Sequence, residues 1–279
     1  MPTISVVTPS FNQAEYLEDT LQSVLGQDYP LLEYVVIDGG STDGSVEIIK
    51  RYDSRIAYSV SEPDAGHADG INKGFARTSG EIMAWINSSD VYYPWTLLTV
   101  AEVFRDVPEA QWIMGVPTLV GSGCWPKAVY ASEGNVYDFL AGDTGCVQQE
   151  SVFWRRGLWE RAGGRLDPNI RYACDYALWL RFMELAPLYH VQTPLAAFRH
   201  HEDRRGTVDG AYAQEVRAAR LRWVYAAPPR ERLRARLVGA MPGRLSGQWR
   251  KALEGLPLPR WYRHQRVTYD FEAHRWIAG

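Results

Sequence analysis

Along the first 90 residues, short runs of apolar, β-prone residues alternate with stretches whose apolar positions recur every three or four residues. That pattern predicts strand–helix units around a parallel sheet. The run TISVVTP (residues 3–9) predicts a buried strand, and AEYLEDTLQSVLGQ (14–27) places Tyr16, Leu17, Leu21, Val24 and Leu25 on one helical face. LEYVVID (32–38) predicts the second strand, GSVEIIKRY (44–52) the second helix and IAYSVSE (56–62) the third strand. ADGINKGFARTSG (68–80) then predicts a helix closed by Gly80, and EIMAWIN (81–87) a fourth strand. Each predicted strand ends in polar residues: Ser10 and Asn12, Asp38 and Ser41, Glu62 and Asp64, Asn87 to Asp90. Ligands of open α/β sheets sit at the carboxyl ends of the strands, so the four clusters are expected to converge on one rim and line a pocket.

Residues 92–191 interrupt every period with Trp, Gly and Pro, and two helices stand out there, PWTLLTVAEVFRD and DYALWLRFMELA. Past Ala211 the pattern is helical and basic, broken by the prolines at 228–229, by MPG and by LPLPRW. A chain of 279 residues with 46% hydrophobic side chains can bury a substantial core. No stretch approaches the roughly 20 apolar residues that span a bilayer, and MPTISVVTPSF lacks the charged flank and apolar core of a signal peptide. A cytoplasmic protein is expected. Cys124, Cys146 and Cys174 show no CxxC or Cys/His spacing, so free thiols are expected rather than disulfides or a zinc site.

Charge divides the chain. Residues from Ala211 onward carry 14 basic and 5 acidic side chains, a balance of +9, which with −3 overall leaves −12 on residues 1–210. The acidic front argues against nucleic acid as a partner and suits a pocket for a divalent cation, whereas the basic tail suits an anionic surface.

The first strand-to-helix turn, TPSFNQAEY, contains no glycine. A dinucleotide fold needs a GxGxxG loop there for the backbone to approach a pyrophosphate, and no Walker-type GxxxxGK[ST] occurs either, so a Rossmann dehydrogenase is disfavoured. The glycine-rich segment DGGSTDGS follows the second strand instead and carries carboxylates. Asp38, at a strand end, is placed to accept from a base or ribose; Ser41, Thr42 and Asp43 serve equally well as caps of the next helix.

Four ordered segments, VVTPSFNQAEYLEDTLQSVLGQDYP, EYVVIDGGSTDGS, SEPDAGHADGINKGFA and GEIMAWINSSD, resemble the inverting family-2 glycosyltransferases of GT-A fold. The likeness runs to about His201. It implies an α/β catalytic domain over 1–209 with a mostly parallel central sheet flanked by helices, divided into a nucleotide-binding half (1–91) and an acceptor half with a lid (92–209). A basic helical extension (210–279) would follow. The resemblance further implies a nucleotide-sugar donor, most often UDP-linked, with Thr8, Pro9 and Phe11 lining the nucleoside pocket and Asp38 on the base. Asp69, Asn72 and Lys73 would lie near base, diphosphate or sugar.

After the fourth strand, relatives carry an acidic pair where this chain has Ser89-Asp90 in INSSD. By resemblance Asp90 is the direct ligand of Mn²⁺ or Mg²⁺, and Ser88 and Ser89 lie at the diphosphate and ribose. Such cations need only one or two carboxylates when phosphates and water complete the shell, so a single Asp suffices, with weaker metal binding expected. Taken alone, INSSD also reads as a turn.

Asp175 in YACDYALWLRF matches the family's general base and would also serve as a helix cap. GCVQQESVFWRRGLWERAGG resembles the acceptor-side segment: Gln149, Glu150 and Ser151 are placed to touch sugar or acceptor. Phe153, Trp154 and Trp159 are either core or stacking platforms. In FRHHEDRRGT, His201 is chosen over His200 as a metal or diphosphate contact from the family's R-x-H spacing, on a segment read as a lid. The Arg-rich tail suits a helix on the catalytic domain or peripheral contact with an anionic membrane, where a lipid-linked or glycan acceptor would be met. The rival reading is a nucleotide-sugar-binding protein without turnover, motivated by Ser89.

Overall fold

The computed structural model describes residues 1–124, 126–129, 147–200, 210–226 and 265–279. Its first quarter follows the expected alternation: β1 (Ile4–Ser10), α1 (Ala14–Leu25), β2 (Leu32–Asp38), α2 (Ser45–Arg51), β3 (Tyr58–Ser61), α3 (His67–Phe75) and β4 (Ile82–Trp85). The predicted face of α1 is the buried one, with Thr20 added to it. β5 (Val91–Tyr92), α4 (Thr96–Asp106), β6 (Trp112–Met114), β7 (Thr118–Val120) and β8 (Pro126–Val129) come next. They are followed by β9 (Val152–Arg155), α5 (Arg156–Arg161), α6 (Cys174–Leu185), β10 (Tyr189–Val191), β11 (Ala196–Arg199), α7 (Ala211–Ala226), β12 (Gln265–Asp270) and β13 (Arg275–Ala278).

Nine strands form the central sheet in the order β13-β12-β10-β6-β9-β4-β1-β2-β3, and a smaller sheet runs β5-β11-β7-β8. The large sheet is mostly parallel; β9 runs against both β4 and β6, and β13 against β12. Both faces are covered. On one, Leu17, Leu21 and Val24 of α1 and Leu97, Val100 and Phe104 of α4 pack on Ile4, Val6 and Ile82. On the other, α3 and α6 cover Val7, Trp85, Trp112 and Trp154. Helix α3 lies so close to β1 that a Cβ on Gly74 would stand 2.4 Å from Val7 Cγ1, which explains the glycine in NKGF.

The C-terminal region departs from the expected helical extension. Helix α7 belongs to the catalytic body, since Val216 and Trp223 are buried in the same core as Leu178 and Trp179. Residues 265–270 and 275–278 are strands: β12 pairs in parallel with β10, and β13 closes that side of the sheet while Trp276 donates its main-chain N–H to Asp106 at 3.0 Å. A sheet edge carries main-chain donors and acceptors that a returning segment can satisfy. QRVTYD, with Val267 turned inward, is short enough to be overlooked in a helical window. The Arg-rich stretch of the tail lies in 227–264, outside the described residues. No helix among the described residues is long and apolar enough to cross a membrane.

Candidate active site

The sheet register brings the strand ends together. Ser10 pairs with Asp38, and Asp38 with Ser61. The glycine-free first turn is held by the second: Asn12 donates its main-chain N–H to Ser41 Oγ at 2.8 Å and accepts from the Thr42 N–H at 2.9 Å. Asp43 accepts from the Ala14 N–H at 2.8 Å and from Ser45 Oγ at 2.6 Å, bridging the starts of α1 and α2. Side-chain acceptors thus satisfy the main-chain donors at both helix starts.

Asp38 is fully buried, and its carboxylate accepts from the Gly40 and Ser41 N–H groups and from the hydroxyls of Ser41 (2.5 Å) and Ser61 (2.7 Å). It organises its own turn, so a base would meet a carboxylate already aimed by its neighbours. Phe11 is 44% exposed on this rim and Pro9 is buried beneath it. Thr8 is wholly buried, with its hydroxyl against Tyr34 OH at 2.9 Å on the α1 side of the sheet, so it supports the rim from below. Asp69 accepts from the Ala65 N–H at 3.0 Å, and Lys73 is bracketed by Glu62 (3.1 Å) and Asp69 (3.5 Å).

Asn72 is partly engaged by the protein itself. Its amide donates to the Leu166 carbonyl at 3.0 Å and accepts from the Leu166 N–H at 2.8 Å. One donor and one acceptor of the amide are engaged by main chain 94 residues away, so the side chain ties α3 to the loop before α6 and keeps its second N–H for a ligand. Asp64, which the sequence marks only as polar at a strand end, lies between the β2 turn and α3, with carboxylate oxygens 3.0–3.2 Å from where Cβ atoms on Gly39 and Gly70 would stand.

Asp90 is fully buried. Its Oδ1 accepts from the Arg199 N–H at 2.9 Å and its Oδ2 from Asn87 Nδ2 at 3.1 Å. Gln149 orients Asn87, accepting from Nδ2 at 3.0 Å while donating to the Trp85 carbonyl at 2.7 Å. Burial raises the Asp90 pKa to about 7, against the lowering effect of those hydrogen bonds. Ser88 is buried beside it, and Ser89 turns its carbonyl to the Arg199 guanidinium at 2.7 Å. Glu150 is 2% exposed, and its Oε1 has no hydrogen-bond partner among the described residues. Burial, with the nearby charges of Asp90 and Asp175, pushes its pKa well above the usual glutamate value. Three carboxyl groups therefore share one electrostatic environment.

Among the described residues no group of three or more His, Cys, Asp or Glu is arranged to hold a metal ion. The oxygen-only set of Asp90, Ser88 and Ser89, with an orphaned Glu150 oxygen nearby, fits a hard cation that takes most of its ligands from phosphate and water. His201 lies outside the described residues; its neighbour His200 is exposed and donates its main-chain N–H to the Val120 carbonyl at 2.9 Å. Arg199 is the residue that sequence reasoning missed, although a cation inside the apolar strand AAFR was a signal. It is wholly buried, reaching Asp19 at 2.9 Å and the Ser89 and Ser122 carbonyls.

Asp175 is the second residue of α6 and half-buried. Its Oδ1 accepts from the Tyr176 N–H at 2.8 Å, and its pKa is raised to about 6, chiefly by burial, with a contribution from Glu215. Beneath it the aromatic residues of the middle segment are core. Trp85 and Trp179 stack at 5.6 Å, Trp154 meets both edge-on, and Phe153, Trp154 and Trp159 are all buried. None of these rings is a platform for a sugar.

The central sheet flanked by helices, with a polar rim at the carboxyl ends of β1, β2 and β3, an acidic turn after β4 and a carboxylate at the head of α6, has the arrangement of a GT-A fold. The chain matches the family described as Glycosyl transferase family 2 over residues 5–183, and it belongs to that family. It is 32% identical over 205 residues to TuaG of Bacillus subtilis (strain 168), a glycosyltransferase assigned to teichuronic acid biosynthesis, covering 71% of this chain and 79% of that one. Among solved structures it resembles S. aureus TarS residues 1–349 in complex with UDP-GlcNAc (TM-score 0.67, 16% identity, 93% of this chain and 78% of that one). It also resembles glucosyl-3-phosphoglycerate synthase from Mycobacterium tuberculosis with Mn²⁺, UDP and phosphoglyceric acid (TM-score 0.57, 21% identity, 80% of this chain and 78% of that one).

Proposed function

We propose that this family-2 glycosyltransferase is an inverting, metal-assisted hexosyltransferase that uses a nucleotide sugar, UDP-linked, and a glycan or lipid-linked acceptor in cell-surface polysaccharide synthesis. The observation that carries this reading is Asp175, a carboxylate at the head of α6 whose pKa of about 6 suits proton acceptance near neutrality. In the proposed reaction the acceptor hydroxyl oxygen attacks the anomeric carbon, and the bond to the phosphate oxygen breaks with its electron pair. The hydroxyl proton passes to Asp175, and the nucleoside diphosphate leaves. Attack from the face opposite the leaving group inverts the anomeric centre. Asp90 would hold the divalent cation, with Ser88 and Ser89 at the diphosphate and ribose, Asp38 toward the base, and Lys73 within reach of a phosphate if it exchanges Glu62 for it. A bound cation supplies Lewis-acid stabilisation of the departing diphosphate.

The UDP assignment is supported by likeness to TarS and to the mycobacterial synthase, whose structures contain UDP-GlcNAc or UDP, and the cation by the Mn²⁺ in the latter. The polysaccharide assignment is supported by likeness to TuaG. A cytoplasmic location and peripheral membrane contact through the basic stretch in 227–264 belong to the same proposal. The test is a thermal-shift screen of UDP-, GDP- and dTDP-sugars with and without Mn²⁺, since binding to the folded state raises Tm. Measurement of nucleoside diphosphate release and of product anomeric configuration by NMR follows. A retained configuration overturns inversion. Donor binding without any release favours the second reading, a nucleotide-sugar-binding protein, which Ser89 in place of an acid motivates.

A further inference from the structure

Glu215 lies in the second turn of α7, and its carboxylate accepts three consecutive main-chain N–H groups from another element. Oε1 takes the Arg171 N–H at 3.0 Å, and Oε2 takes those of Tyr172 at 2.7 Å and Ala173 at 2.9 Å. These residues are the approach to α6, whose N-cap position is Ala173, a side chain unable to cap. The first N–H groups of a helix lack intrahelical acceptors and form its positive end. Glu215 therefore fixes, from a neighbouring helix, the main chain that leads into α6 up to its N-cap residue, two residues from Asp175. It is firmly seated, because the adjacent Val216 and, two turns on, Trp223 are buried against α6.

We infer that Glu215 is a positioning residue for Asp175, clamping the main chain of 171–173 so that the base is presented at a fixed angle to the acceptor. This rests on the reading of Asp175 as the general base. The clamp also joins the base helix to α7. Among the described residues, the ionisable groups that interact electrostatically with Asp175 are Glu215 on α7, Glu150 on the turn before β9, and Cys174 beside it on α6. Of these, the Glu215 carboxylate opposes ionisation of Asp175 and raises its pKa.

Full-length Glu215→Gln and Glu215→Asp are compared with the unaltered protein and with Asp175→Asn. The Asp175 carboxyl carbon is titrated by carbon-13 NMR in aspartate-labelled protein, its signal assigned by its loss in Asp175→Asn. Amide exchange at Tyr172 and Ala173 and Mn²⁺-dependent UDP release from UDP-GlcNAc or UDP-glucose are measured alongside. Glu215→Gln is expected to lower the Asp175 midpoint by roughly 0.5 pH unit. It should also speed exchange at both amides by about tenfold and cut kcat by about tenfold, with donor KM within about twofold. Glu215→Asp keeps the charge and restores the midpoint; if Glu215→Gln fails to fold, a midpoint in Glu215→Asp that matches wild type while kcat falls supports the inference, and wild-type kcat overturns it. Unchanged midpoint, exchange and kcat in Glu215→Gln overturn it too. Full turnover in Asp175→Asn would instead remove the base assignment itself, whatever Glu215 does.

Discussion

Arg199 donates its main-chain N–H to Asp90 Oδ1 at 2.9 Å and its guanidinium to the carbonyl of Ser89 at 2.7 Å. One residue of β11 thus holds both the backbone and the carboxylate of the turn proposed to bind metal. The same guanidinium reaches Asp19 on α1 and lies over the Tyr16 ring at 5.0 Å. Its ion-pair partner Asp19 is half exposed, so removing the guanidinium costs chiefly the hydrogen bond to the Ser89 carbonyl, about 1–3 kcal/mol. Arg199→Met should therefore lower Tm by several degrees and abolish the Mn²⁺-dependent part of donor binding, both read in one thermal-shift series.

Asp90→Asn keeps the shape but loses the charge a cation needs and one of the two hydrogen bonds, because its amide nitrogen cannot accept from Arg199 N–H or Asn87 Nδ2. Turnover should fall by about 10³-fold or more. Ser89→Asp should act in the opposite direction, lowering the Mn²⁺ concentration for half-maximal donor hydrolysis. Full activity in excess chelator would rule out the metal assignment.

For Asp175, the proposed base must be ionised to work. With a pKa raised to about 6 by burial, kcat should rise with pH through about 6 and then level. Asp175→Asn should remove that limb and reduce kcat severely while donor KM stays near wild type; a pH profile flat from 5 to 8 in the unaltered enzyme would contradict the role.

Asn72 separates stability from binding. Loss of its two hydrogen bonds to Leu166 leaves buried main-chain groups unmatched and costs about 1–3 kcal/mol. Asn72→Ala should thus lower the urea midpoint. A large rise in donor KM at unchanged stability would overturn that structural role and leave Asn72 to the nucleotide site.

Glu150 predicts a pH-dependent stability. The folded chain binds its proton more tightly than the unfolded chain, so stability falls as pH rises above the ordinary glutamate value. Glu150→Gln removes that loss. It should be more stable than wild type near pH 8 and no more stable near pH 4.5, by urea denaturation at both.

The sequence by itself determined the first four strands and three helices, because their side-chain periods of two and three to four report directly on which face is buried. It also placed Ser10, Asp38 and Asp90 at strand ends, and strand direction then fixes them to one rim. Tertiary structure decided what each of those side chains is free to do. Thr8 was drawn to Tyr34, Asn72 to Leu166 and Trp154 to the core by contacts from 25 to 94 residues away that no local pattern records. Arg199 and Glu215 acquired their roles only where β11 meets the Asp90 turn and α7 meets α6. Buried charge must find a partner wherever the fold supplies one, and periodicity carries no information about which partner that is.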